Sequence, residues 1–148
     1  MLNLPFMTSR LLIPALAFLL YSTAFAVADA DTPLELAMKK MSSAYKELLF
    51  DLKQPHDAAK SHYLELAAAL KAGAETSRGL VPQKAETLPT DQRVAIIKPY
   101  QKSMDDLIGW INSLTVDLQN SRWDDASKVM ATLKQQMIYG HKDFRLKN

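Results

Sequence analysis

From Asp31 onward the chain alternates apolar and polar positions with a helical period. Leu34, Met38, Met41, Tyr45, Leu48 and Leu52 follow one another at spacings of four and three, which keeps them on one side of a helix. Thr32, Pro33 and Glu35 stand where an N-cap, a first-turn proline and the third residue of a capping box belong. Gln54-Pro55 closes this first helix. A second starts near His56-Asp57 and runs through an alanine-rich stretch from Tyr63 to Ala74. Leu66, Leu70 and Gly73 share a face there with Ala59 and Tyr63, and small residues on it let a neighbouring helix or a flat ligand come close. Gly79 and Pro82 stop it.

Residues 79–90 form the longest irregular stretch, a length that usually marks a functional or mobile loop. The third helix is predicted from Thr90-Asp91 to Asn120. Pro99 interrupts its hydrogen-bond ladder, so a kink or a break into two helices is expected. Tyr100, Met104, Leu107, Ile111, Leu114 and Leu118 form its stripe. Ser121 and Asp124 are spaced as a further cap. The fourth helix covers Trp123 to Arg145 with Ala126, Met130, Leu133, Met137, His141 and Phe144 in register, which gives His141 a core position by spacing alone. Four amphipathic helices with short first and third connections and no strand signal predict an all-α, antiparallel up-down-up-down four-helix bundle.

The first 28 residues have a different build. Arg10 is the lone charge before a short apolar run, Leu11 to Leu20, followed by small-residue sites that favour cleavage after Ala26 or Ala28. A membrane span needs ~20 apolar residues. This run is about half that and contains Pro14, so residues 1–28 are expected to be a secretory signal peptide and residues 29–148 one exported domain without stable membrane insertion. That length buries a core unaided. There is no cysteine, which excludes disulfides, thiolate metal sites and thioether-linked cofactors. Loss of Arg10 turns 18 basic side chains into 17 against 16 acidic ones, so charge gives no case for nucleic acid.

The candidate chemistry is sparse. No nucleophile–base pair, phosphate loop or metal-ligand cluster is legible, so no enzyme is expected. His56 and His62 are six apart and read as surface residues, and Trp110 and Trp123 read as packing or interfacial aromatics. Asp105-Asp106 and Asp124-Asp125 lack the Glu-x-x-His pattern of di-iron bundles. If the first and fourth helices are antiparallel neighbours, Met38 lies ~9 Å from the start of one and His141 ~6 Å from the end of the other. An inward thioether and imidazole at matching depth suit the Met/His axial ligation of a haem iron. The 79–90 loop falls at that same end, where it could edge the macrocycle.

These residues resemble the cytochrome b562 family of periplasmic four-helix-bundle haem proteins. Pro33-Leu34-Glu35-Leu36-Ala37-Met38 looks like the family's opening turn, and Tyr139-Gly140-His141-Lys142-Asp143-Phe144-Arg145 is similar to its closing segment. Asp105 to Ile111 aligns with its third helix. The chain departs from the family at Met104, Gly140 and Met137, and in a longer segment between the first and third helices. The resemblance implies a periplasmic b-type cytochrome with one non-covalent haem b, Met38 and His141 as axial ligands, and periplasmic redox partners that the sequence does not identify. Leu34, Met41, Tyr100, Met104 and Met137 then line the haem, with Arg78, Lys84, Lys98 and Arg145 as propionate candidates. The alternative is a haem-free exported bundle acting as a binding or stress-response module, favoured by the long 79–90 loop and the missing aromatics near His141.

Overall fold

The computed structural model describes residues 31–146, and among these every regular element is helical. The expected signal peptide lies outside the described residues. The helices are α1 (Pro33–Asp51), α2 (Lys60–Arg78), α3 (Gln83–Glu86), α4 (Thr90–Gln119) and α5 (Trp123–Phe144), with a 3-10 turn at Asp57–Ala59 ahead of α2. Four are long and α3 is a single turn. No described helix is long and apolar enough to cross a membrane.

The capping box forms as its residue types require. Glu35 N–H donates to Thr32 Oγ1 at 3.2 Å, and Thr32 N–H donates to Glu35 Oε2 at 2.8 Å. Both N–H groups lie at a helix start and have no intrahelical partner of their own. At its other end α1 stops at Asp51, before Gln54-Pro55. The chain tightens there into i→i−3 bonds, Lys53 N–H to Phe50 O and Gln54 N–H to Asp51 O, both 3.2 Å. The second helix likewise begins later than the sequence predicts, because His56 is extended and Asp57–Ala59 make the 3-10 turn first.

Three further expectations are corrected. First, of the kink or break expected at Pro99 the break does not occur, and α4 runs as one helix of 30 residues. Pro99 and Ala95 are both exposed, so the carbonyl that proline leaves unpaired can be hydrated. Second, Ser121 does not cap α5. It takes a left-handed backbone, φ 53°, to turn the chain, and its hydroxyl donates instead to the Asp57 carboxylate. The N-cap of α5 is Arg122, without a side-chain cap bond. Third, the 79–90 segment is not irregular throughout, since Gln83–Glu86 forms α3 with Pro82 and Ala85 fully buried beneath it.

The stripes meet in one core. Leu48, Leu114, Leu118 and Met130 are completely buried, each contributing about 1.5–3 kcal/mol. α1 packs on α2, α2 on α4 and α4 on α5, whereas α1 and α5 share the core through side chains with few close backbone approaches. Their one hydrogen-bonded link runs mid-helix, Tyr45 Oη to the Met130 carbonyl at 3.2 Å. Gly73, late in α2, stands against Ala37 and Met41 early in α1, and His62, early in α2, stands against Glu47 and Asp51 late in α1.

Gly73 is required for that first approach. A Cβ there would overlap Met41 Cγ and lie 3.4 Å from the Ala37 carbonyl. Gly73→Ala is therefore expected to lower the urea midpoint by the equivalent of about 1–3 kcal/mol of overpacking. A midpoint at or above wild type would show that α1 can give way.

Candidate functional site

The end of the bundle capped by α3 gathers the chemistry singled out in the sequence. Gln83 Nε2 donates to Glu35 Oε1 at 3.0 Å, in the first turn of α1. Lys84 Nζ donates to the Asp143 carbonyl at 3.1 Å, in the last turn of α5. Met38 lies three residues inward from Glu35, and His141 two residues inward from Asp143. The two candidate ligands thus share this end, on the two helices that do not close on each other.

Burial fades along both stripes toward this end. In α5, Ala126, Met130 and Leu133 are buried, Met137 and Phe144 are half-buried, and His141 is exposed. In α1, Met41, Ala44 and Leu48 are buried, while Leu34 and Met38 are half-buried and packed on the core edge. The core position expected for His141 is therefore corrected. Spacing places it on the apolar stripe, but where Phe144 turns to Tyr100 of α4 the imidazole itself stays exposed. Its side chain makes no hydrogen bond or ion pair among the described residues, whose bonds instead involve its backbone carbonyl, accepting from Arg145 N–H at 3.2 Å.

The rest of the proposed pocket divides into residues already engaged and residues still open. Tyr100 is 2 % exposed, donates its hydroxyl to the Ser77 carbonyl at 2.8 Å, and meets the Phe144 ring edge-on at 5.3 Å between centroids. Burial pushes its phenol up to about 12. Ser77 in turn directs its hydroxyl at Met41 Sδ, 4.0 Å away, so the Met41 thioether is both buried and partnered. Met104 is buried in the core, and Leu34 and Met137 border the uncovered surface. Among the basic candidates, Arg78 is held by Asp105 through Nε at 2.5 Å and Nη2 at 3.1 Å. That bond raises the Arg78 pKa and holds the Asp105 carboxyl below its usual range. Lys84 is spent on Asp143, while Lys98 and Arg145 are exposed.

The donor set fits a haem iron. It offers one imidazole not engaged by the described residues, one thioether at the core edge, and an apolar surface longer than the chain itself covers. Sequence reasoning missed Ser77 and Gln83, and named Lys84 only as a propionate candidate, not as a donor to Asp143. A single-turn helix is too short to show a period, and only Pro82 ahead of four helix-tolerant residues could have signalled it.

The other end carries different groups. His62 Nε2 lies 3.3 Å from Glu47 and 3.4 Å from Asp51, and His56 stands edge-on to Tyr63. They border an open cleft of about 570 Å³. No group of three His, Asp or Glu side chains is placed to hold a metal ion among the described residues.

Comparison with known proteins gives one match. The family model described as Cytochrome b562 matches residues 33–145. Neither curated proteins nor solved structures give a match.

The buried phenol makes a pH prediction. An unfolded tyrosine ionises near ~10, and Tyr100 in the folded chain only at about 12, so the folded state binds this proton more tightly. Its contribution is present below ~10 and is lost as pH rises from there toward about 12, up to about 2–3 kcal/mol. Tyr100→Phe is expected to flatten the fall in urea midpoint across that window. At neutral pH it should cost about 1–3 kcal/mol, because the Ser77 carbonyl loses its donor. An unchanged alkaline slope would remove Tyr100 as its source.

Proposed function

The chain belongs to the cytochrome b562 family, and from that premise we propose that it is a periplasmic b-type cytochrome carrying single electrons. Family membership implies haem as the cofactor. We read Met38 Sδ and His141 Nε2 as its axial ligands, one haem per chain, held without a covalent link. The observation that carries this reading is the partly buried end of the α1 and α5 stripes, where a half-buried thioether and an imidazole not engaged by the described residues lie at the same end of the bundle.

The bound iron would supply one-electron chemistry. The chain's own residues do the rest. With Met38 and His141 both holding the iron, no position would be left for oxygen or a substrate, which favours electron carriage. A neutral thioether raises the potential relative to a second imidazole. Half-buried Leu34, Met137 and Phe144 would hold the group by apolar contact, with buried Met41, Tyr100 and Met104 as the wall behind them. With Arg78 tied to Asp105 and Lys84 to Asp143, Arg145 and Lys98 are the basic groups left for the propionates.

Export and topology complete the proposal. The apolar run before Ala26 supports a cleaved signal for the periplasm. The pairings of Gly73 with Met41 and of Tyr100 with Phe144 support antiparallel neighbours, hence an up-down-up-down order.

The full chain expressed for export with haem supplied is expected to show a Soret band that sharpens and shifts on reduction. A spectrum with the aromatic ultraviolet band alone would instead favour the haem-free bundle. Met38→Ala should give a high-spin, five-coordinate spectrum. His141→Ala should weaken haem retention by more than the ~10–100-fold typical of losing an outer-shell partner. A low-spin spectrum surviving either substitution would take that residue off the axial pair. Terminal sequencing of the exported protein should find Val27 or Asp29 first.

A further inference from the structure

We propose that α3 is a strap that sets the spacing between the two ligand helices, with Gln83 and Lys84 as positioning residues for the axial pair. The inference rests on the haem reading above and goes beyond it by naming what fixes the ligand span.

The need for such a strap follows from how the bundle closes. α1 and α5 carry Met38 and His141, yet of the long-helix pairs that follow one another around the bundle theirs is the one left open. Their hydrogen-bonded link, Tyr45 to Met130, lies far from the site. His141 is eleven residues beyond Met130, ~16 Å at helical rise, and Met38 is seven residues before Tyr45, ~10 Å. A splay of only ~5° about the Tyr45 link would therefore carry His141 by ~1.4 Å. Metal–ligand bonds tolerate ~0.2 Å. A tether at mid-bundle cannot hold an axial pair to that tolerance.

α3 supplies the second tether at the right depth. Gln83 Nε2 reaches α1 at Glu35 Oε1, 3.0 Å, and Lys84 Nζ reaches α5 at the Asp143 carbonyl, 3.1 Å. Neighbouring residues on one turn thus bond to two helices that otherwise stand apart. Each acceptor is itself fixed. The other oxygen of Glu35 closes the capping box with Thr32 N–H, so the strap pulls on the start of α1 rather than on a loose side chain. The Asp143 carbonyl is among the last four of α5, which have no intrahelical donor, and it sits at the negative end of the helix dipole, where a lysine cation is favoured.

The strap is also anchored behind. Pro82 and Ala85 are fully buried, Ala85 N–H donates to the Pro82 carbonyl at 2.8 Å, and Arg93 of α4 donates to the Leu88 and Glu86 carbonyls at 3.0 and 3.4 Å. Gln83 and Lys84 are therefore arms on a fixed bracket. Their removal frees α1 and α5 to separate without disturbing the core from Met41 to Leu118.

The test uses the full chain carrying Gln83→Leu and Lys84→Met together. With haem bound, the double variant is expected to show a larger high-spin fraction and to release haem to an apomyoglobin acceptor about tenfold faster, the scale of losing two solvent-accessible charge-assisted hydrogen bonds. Lys84→Arg, which keeps the donor and the charge, should stay near wild type while Lys84→Met does not. The haem-free chain gives an independent readout. Spin labels at Leu36→Cys and Ile138→Cys, both exposed residues of α1 and α5, should report a broader interhelix distance in the double variant. Wild-type distance distributions and spin state in that variant would overturn the strap. Absence of any Soret band in the wild-type protein would sink the haem reading alone, and the label distances would still decide whether α3 holds the two helices.

Discussion

Apolar surface on a helix must be covered, and in this bundle two helices present more of it than the chain covers. The stripe of α5 runs from Ala126 to Phe144, but full burial stops at Leu133. The stripe of α1 starts at Leu34, but full burial of its large side chains starts at Met41. The shortfall lies at one end and on the one side where consecutive helices of the bundle do not close. Other features follow from it: the exposed imidazole, the half-buried thioether, and the need for a separate turn to hold the helix ends together. A haem, flat and largely apolar, is the kind of group that would complete such a core.

Much of this was legible in the sequence because periodic burial leaves a periodic trace. Thr32, Pro33 and Glu35 specify the start of α1 to the residue, since Thr32 and Glu35 each accept from an unpaired N–H and Pro33 removes another. The stripe from Tyr100 to Leu118 predicts each apolar residue of the buried face of α4 and omits only Asp117, which is buried against Arg122. Elements without a period were not legible. α3 has four residues, less than two turns, and its hold on the bundle depends on Gln83, which reads as an ordinary surface residue, and on Lys84, which the sequence offers only as a propionate candidate. Ser121 misled for a related reason. A serine before a helix suggests a cap, but the tight turn requires a left-handed residue there, and once Ser121 takes that backbone its hydroxyl faces Asp57 instead.

His141 shows the limit of the same reasoning within the candidate site. Spacing places a residue on a face and says nothing about whether another helix covers that face at that depth. The sequence therefore located the histidine on the stripe, and only the packing showed that the stripe is open there. Met38 and Met41 differ in the same way. They are three apart on one face, but Gly73 admits the Met41 side chain deep against α2, and Ser77 partners its sulfur. Met38 keeps its thioether at the core edge. Two methionines equivalent by period are made unequal by one glycine and one hydroxyl on the neighbouring helix.

The two ends of the molecule consequently differ in what holds them. At the end of His62, helices α1 and α2 are linked directly by side chains, the imidazole lying 3.3 Å from Glu47 and 3.4 Å from Asp51. At the end of His141 the ties run through α3, and the apolar surface beneath it is partly uncovered. A ligand that binds the folded chain alone stabilises it by mass action, and the effect acts first on the region that opens most easily. If haem fills the uncovered end, it contributes stability where the chain contributes least. Closure of α1 on α5 by more apolar residues would remove both the exposed imidazole and the space beside it, so the weakness of this end and its capacity to hold a cofactor have one physical origin.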